Sequence, residues 1–99
     1  MDGAAGDRPL FIPLRAEWFE AFAEGRKREE FRPYNARWNE RSCPVGRPVV
    51  LSCGYGAKRR LRGVIEGFRV AGPDATPTLR SIYPTGDRFS AIAIRVIGP

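Results

Sequence analysis

The sequence predicts a small α+β domain, a curved sheet or barrel of short strands capped by one main amphipathic helix. Three observations predict it. One segment near the N-terminus repeats its apolar residues at helical spacing. The other apolar residues fall in short runs separated by glycine- and proline-rich turns. The longest of these runs carries two internal glycines, as a bent or bulged strand does. A chain of 99 residues has room for one core, and 42% hydrophobic residues suffice to build it.

Residues 1–8 read as a flexible tail, followed by a single domain over 9–99. Leu10-Phe11-Ile12 is a short apolar run expected to form a strand, stopped by Pro13. From Leu14 the period changes. Leu14, Trp18 and Phe22 recur every four residues, with Phe19 and Ala23 beside them and Glu17, Glu20 and Glu24 opposite. This is an amphipathic helix of about three turns. Gly25 stands where a C-cap glycine belongs. Residues 26–32 read as extended because Gly25 and Pro33 bracket them. Residues 33–48 hold three prolines and a polar stretch, and form a long loop. Residues 49–53 make a strand, 54–57 a turn, and 58–70 a long second strand. Residues 72–77 are a linker, 78–83 a short helix or strand, and 88–97 a closing strand in which Ile92, Ile94 and Val96 alternate with Ala91, Ala93 and Arg95.

Composition excludes several chemistries. There is no histidine, so Ser-His-Asp and Cys-His triads and every His-containing zinc site are out. Two cysteines, Cys43 and Cys53, cannot complete a zinc site or a disulfide scaffold, and read as inert thiols. A metal would have to be a hard ion on carboxylates, so no metal ligand and no cofactor is assigned. No apolar run approaches the roughly 20 residues that span a bilayer. The polar N-terminus lacks the layout of a secretory signal, and a cytoplasmic location with no membrane partner is expected.

The net charge is +6 and the pI about 10.1, which favours a polyanionic partner, nucleic acid foremost. All but two of the 17 basic residues are arginine. A GC-rich genome accounts for that bias, and the exceptions, Lys27 and Lys58, gain interest from it. The basic cluster Lys58-Arg59-Arg60-Leu61-Arg62 follows the turn bearing Tyr55. It suits a phosphate backbone, or else serves as a solvated hairpin end. Trp38, Tyr55, Tyr34 and Phe31 are candidate stacking residues. Trp38, among polar neighbours, is expected to be exposed. Trp18 and Phe22 are assigned to the core. Ser52, Thr76 and Thr78 have no activating base near them in sequence.

The densest ionic segment spans 25–32. If it is a strict strand, Lys27 and Glu30 point to opposite faces; a kink at Gly25 lets them meet. Gly25-x-Lys27-x-x-Glu30-x-Arg32 resembles the GxKxxExR signature of the ASCH domain family. Ile82-Tyr83-Pro84 before a closing apolar strand is similar to small bacterial members. Arg37-Trp38-Asn39-Glu40 and Gly54-Tyr55-Gly56 look like members carried by phages and prophages. The resemblance covers most of 10–97.

It implies a PUA-like β-barrel with a cleft beside the first helix, lined by Lys27, Glu30 and Arg32. It also implies RNA or a modified nucleoside as partner. Some small members are hydrolases of N4-acetylcytidine, and at least one is a ribonuclease. The hydrolase branch uses a lysine, a threonine three residues on and a downstream glutamate. Lys27 matches the lysine, but Glu30 stands at the threonine position and Asp74 is the only acid where the glutamate belongs. If the chain is an enzyme, Lys27 and Glu30 are its catalytic residues, with Lys27 polarising a carbonyl and Glu30 activating water. A divalent metal enters only for a ribonuclease. The simpler reading has Glu30 paired with Lys27 or Arg32. The binding residues are then Lys27, Arg32, Trp38, Tyr55, Lys58, Arg59, Arg60 and Arg62. A phage-type protein-interaction module is the remaining alternative. Oligomeric state and ligand identity are not legible.

Overall fold

The computed structural model describes residues 8–56 and 58–99. The tail expected over 1–8 lies, apart from Arg8, outside the described residues. Five strands and two helices follow in the order β1 (Leu10–Leu14), α1 (Ala16–Ala23), β2 (Glu29–Pro33), β3 (Pro48–Cys53), β4 (Arg60–Ala71), α2 (Leu79–Ile82) and β5 (Phe89–Gly98). The strands form one sheet in the order β1-β3-β4-β5-β2. β1 runs parallel to β3, and every other pairing is antiparallel.

β1 alternates strictly, with Leu10, Ile12 and Leu14 buried and Phe11 and Pro13 partly exposed. It does not stop at Pro13, as the sequence suggests. Pro13 lies on an edge strand and stays in register with Ser52 of β3, a position where its missing N–H costs no ladder bond. Leu14 is therefore the last strand residue and not the first helical one. Its carbonyl accepts from the N–H of Gly54 at 2.8 Å, a bond that a helical Leu14 would forgo.

α1 is shorter than its apolar period predicts. Its N-cap residue Arg15 makes no side-chain cap, so its stability rests on packing and on Glu17 in the first turn. Phe19 and Phe22 are fully buried against the concave face of the sheet, each contributing roughly 1.5–3 kcal/mol by burial. Gly25 has φ +78°, the left-handed turn that ends the helix.

The core gathers Leu10, Ile12 and Leu14 with Val49, Leu51, Ile65, Ile92 and Ile94 under the two phenylalanines. The sheet curls because β4 and β5 slip register twice, between Arg62 and Gly63 and between Ile65 and Gly67. Both slips involve the glycines that the sequence marks as bends. At Gly63 the reason is contact: a Cβ there would stand 2.7 Å from the Arg95 carbonyl oxygen. The curl brings the edge strands β1 and β2 toward each other, and no ladder joins them.

This packing makes two substitution and labelling experiments decisive. Gly63→Ala forces the β4–β5 pair apart and is expected to destabilise by about 1–3 kcal/mol, read as a lowered urea midpoint at constant slope. Cys43 is fully buried and desolvation pushes its thiol up, so iodoacetamide near pH 8 should modify it only after unfolding. Peptide mapping of alkylated native and denatured protein reads the difference.

Candidate functional site

The site forms where α1 hands over to β2. After Gly25 the chain doubles back, with the N–H groups of Arg26 and Lys27 both donating to the Ala21 carbonyl at 2.8 and 3.2 Å. β2 begins only at Glu29, so Lys27 precedes the ladder and escapes its alternation. That resolves the geometry the sequence leaves open. Lys27 Nζ lies 3.6 Å from Glu30 Oε1, and Arg32 Nε donates to Glu30 Oε2 at 2.8 Å. Glu30 and Arg32 share one face of β2 because they are two apart.

Arg32 reaches further. Its Nη2 donates to the Pro13 carbonyl at 2.6 Å, across the gap between the sheet edges, and its guanidinium lies 4.9 Å from the Trp38 ring centroid. The Arg32 side chain is 16% exposed and that of Lys27 21%. Arg32 is thus engaged on three sides. Lys27 holds Glu30 at longer range and sits over the Trp18 ring at 5.2 Å and the Phe22 ring at 5.6 Å.

Above these three residues opens a cleft of about 280 Å³. Its walls are Pro13 and Leu14 at the end of β1, Trp18 of α1, and Leu79 and Tyr83 around α2. Burial raises the Tyr83 hydroxyl above its usual range, so it stays protonated and able to donate. Its ring lies 5.5 Å from Phe89, which fixes it against the sheet. Its lining groups include the Lys27 ammonium, the Arg15 and Arg32 guanidinium groups, the Glu30 carboxylate and the Trp18 and Tyr83 rings. Glu30 is the one carboxylate among the lining residues, with two cations beside it, a donor set that does not fit a hard metal ion. Among the described residues no group of three acids or thiols is close enough to hold a metal.

Trp38 corrects the sequence reading. It is 5% exposed, because the loop around it folds on its own asparagine side chains. Asn35 Oδ1 accepts from the N–H groups of Arg37 and Trp38, and Asn39 Oδ1 from those of Arg41 and Ser42. Arg32 and Arg37 both lie near the indole, which offers no open face to a ligand. Tyr55, Lys58, Arg59, Arg60 and Arg62 are all exposed and lie on the β3–β4 hairpin end, outside the cleft lining. Arg59 is ion-paired with Glu20 of α1, which lowers the Glu20 carboxyl below its usual range. Arg62 donates to the Pro99 carbonyl at 3.2 Å.

Sequence reasoning misses Trp18 and Tyr83 as cleft walls. Helical spacing gives Trp18 to the core, and only the Tyr-Pro pair signals Tyr83. Thr76 and Thr78 also line the cleft. Replacing Arg32 by Ala removes the bond across the strand gap and half of the pairing of a carboxylate that is only 10% exposed. The expected loss is about 2–3 kcal/mol by urea unfolding. Arg32→Lys recovers little of it, since one ammonium lacks the spaced Nε and Nη2 donors that meet Glu30 and Pro13 and the flat face beside Trp38.

No protein-family model and no curated protein matches the sequence. Solved structures do. The hypothetical protein PH0355 superposes with a TM-score of 0.66 at 19% identity, over 91% of this chain and 100% of that one. A single-substitution mutant of the protein ZmASCH from Zymomonas mobilis superposes with a TM-score of 0.62 at 15% identity, over 89% of this chain and 73% of that one. The chain has an ASCH-like fold: a curled five-stranded half-barrel with two helices, of the PUA-like kind.

Proposed function

We propose that the cleft binds a nucleobase of RNA or a modified nucleoside. The observation that carries this reading is the Lys27–Glu30 pair lining a cleft of about 280 Å³ that Trp18 and Tyr83 also line. A base needs an apolar slot for its faces and a donor and an acceptor for its edge. Trp18 and Tyr83 supply the slot, the Lys27 ammonium the donor and the Glu30 carboxylate the acceptor. Arg32 is a positioning residue, engaged with Glu30, Pro13 and Trp38 rather than with the ligand. The exposed cations Lys58 and Arg62 add attraction for phosphate, consistent with a net charge of +6. The ASCH-like fold agrees with a family associated with RNA.

The test is fluorescence anisotropy of labelled tRNA near physiological salt, with the RNA recovered on a denaturing gel. Lys27→Ala is expected to weaken binding about 10-fold or more, the worth of one charge-assisted hydrogen bond. Lys58→Ala and Arg62→Ala should instead each flatten the log–log salt slope by about 0.7–0.9. Intact RNA supports a binding module. Cut RNA, or release of cytidine from N4-acetylcytidine, makes the protein a hydrolase. No affinity for RNA or nucleoside overturns the reading and favours a protein partner.

A further inference from the structure

Tyr55 stands at the tip of the β3–β4 turn with 83% of its surface exposed, more than any other large apolar or aromatic side chain described. The turn that carries it is pinned on both sides. Gly54 takes a left-handed φ of +72°, and its N–H donates to the Leu14 carbonyl at 2.8 Å. Ser52 Oγ, itself fully buried, donates to the Gly56 carbonyl at 3.1 Å. The Cys53 N–H donates to the Arg59 carbonyl at 3.1 Å. An exposed aromatic whose neighbouring backbone is held by these bonds is pre-organised for contact.

Two neighbours complete the surface. The Phe11 ring, half-buried on β1, lies 6.3 Å from Tyr55 at a 41° tilt. The Arg60 guanidinium lies 5.3 Å from the Phe11 ring. Pro13 pairs with Ser52, and Ser52 with Arg60, so the three strands present this patch side by side. Phe11 and Pro13 are two apart on β1 and face the same way, about 7 Å apart along the strand. Pro13 and Leu14 also wall the cleft. The patch therefore begins where the cleft ends. Residues 53–63 contain four cations and no carboxylate.

We propose that Tyr55, braced by Phe11 with Arg60 beyond that ring, is a stacking platform for an unpaired base of single-stranded RNA, next along the strand to the base in the cleft. The identity of the polymer rests on the function proposed above. The platform itself rests on its own geometry. Stacking uses the open faces of the tyrosine, and the cations take the phosphates on either side. An acidic peptide would use the cations and leave the tyrosine without a role.

The experiment is anisotropy of a labelled octauridylate with wild type, Tyr55→Ala, Tyr55→Phe and Lys27→Ala, each checked for its unfolding midpoint. Tyr55→Ala is expected to weaken binding about 5- to 100-fold, the worth of one stacked base, while Tyr55→Phe keeps most of the affinity. Unchanged binding by Tyr55→Ala overturns the platform. An equal loss for Tyr55→Ala on heparin, which has no bases, also overturns it. So does tight binding of poly-glutamate that depends on Tyr55. If Lys27→Ala binds like wild type while Tyr55→Ala does not, the platform stands and the cleft takes no unmodified base of the strand. The reverse pattern removes the platform and leaves the cleft.

Discussion

Arg32 closes a barrel that the backbone leaves open. The sheet ends in β1 on one side and β2 on the other, and no ladder joins them. Pro13 stands on the β1 edge with a carbonyl and no N–H to offer. The guanidinium of Arg32 meets that carbonyl from β2 at 2.6 Å. One side chain thus does across this gap what a row of peptide groups does in a closed barrel. A guanidinium so little exposed needs charge compensation, and Glu30 provides it at 2.8 Å. The cleft lies at this closure, with Pro13, Glu30 and Arg32 all among its lining residues.

The spacing of glycine, lysine, glutamate and arginine then has a physical reading. Gly25 allows the left-handed turn that ends α1. The doubled-back segment after it releases Lys27 from strand alternation. Glu30 and Arg32, two apart on β2, share a face and meet edge-on. Moving the lysine by one residue turns it away from Glu30. Moving the arginine by one turns it from the gap to the opposite face. Within the trio the roles separate by contact: Arg32 has three partners and holds the frame, whereas Lys27 has the longer ion pair and greater exposure. Of the three, the lysine is the least tightly held.

Much of this frame is legible in the sequence. The strand character of β1, the alternation of β5, the glycine after α1 and the glycines of β4 follow from local rules that the tertiary structure leaves intact. The misreadings share one cause, a neighbour that sequence does not reveal. Leu14 fits a helical period, but Gly54 claims its carbonyl for the sheet. Pro13 reads as a strand stop, but β1 is an edge. Trp18 reads as core because its period matches Phe22, and it sits at the rim of that core, where one face lines the cleft. From sequence, Lys27 meets Glu30 only on condition of a kink, and the paired bonds to the Ala21 carbonyl are that kink.

Trp38 shows how far the constraint on Arg32 extends. Its polar neighbours suggest exposure, yet those neighbours are what bury it. Asn35 and Asn39 turn the loop twice, and Ser90 Oγ of β5 donates to the Trp38 carbonyl at 2.6 Å, tying the loop to the sheet. Arg47 donates to the Ser42 carbonyl at 2.5 Å and to the Arg8 carbonyl at 2.9 Å, drawing the far end of the loop to the start of β1. The indole then lies beside the Arg32 guanidinium, where cation–π attraction adds to the two hydrogen bonds. The loop is long in sequence and structurally part of the cleft, since it fixes the residue that holds Glu30. A polar loop carrying a tryptophan is read correctly only after asking what its asparagines bond to. Here they bond to the loop itself, and the tryptophan is left to serve the charge behind the site.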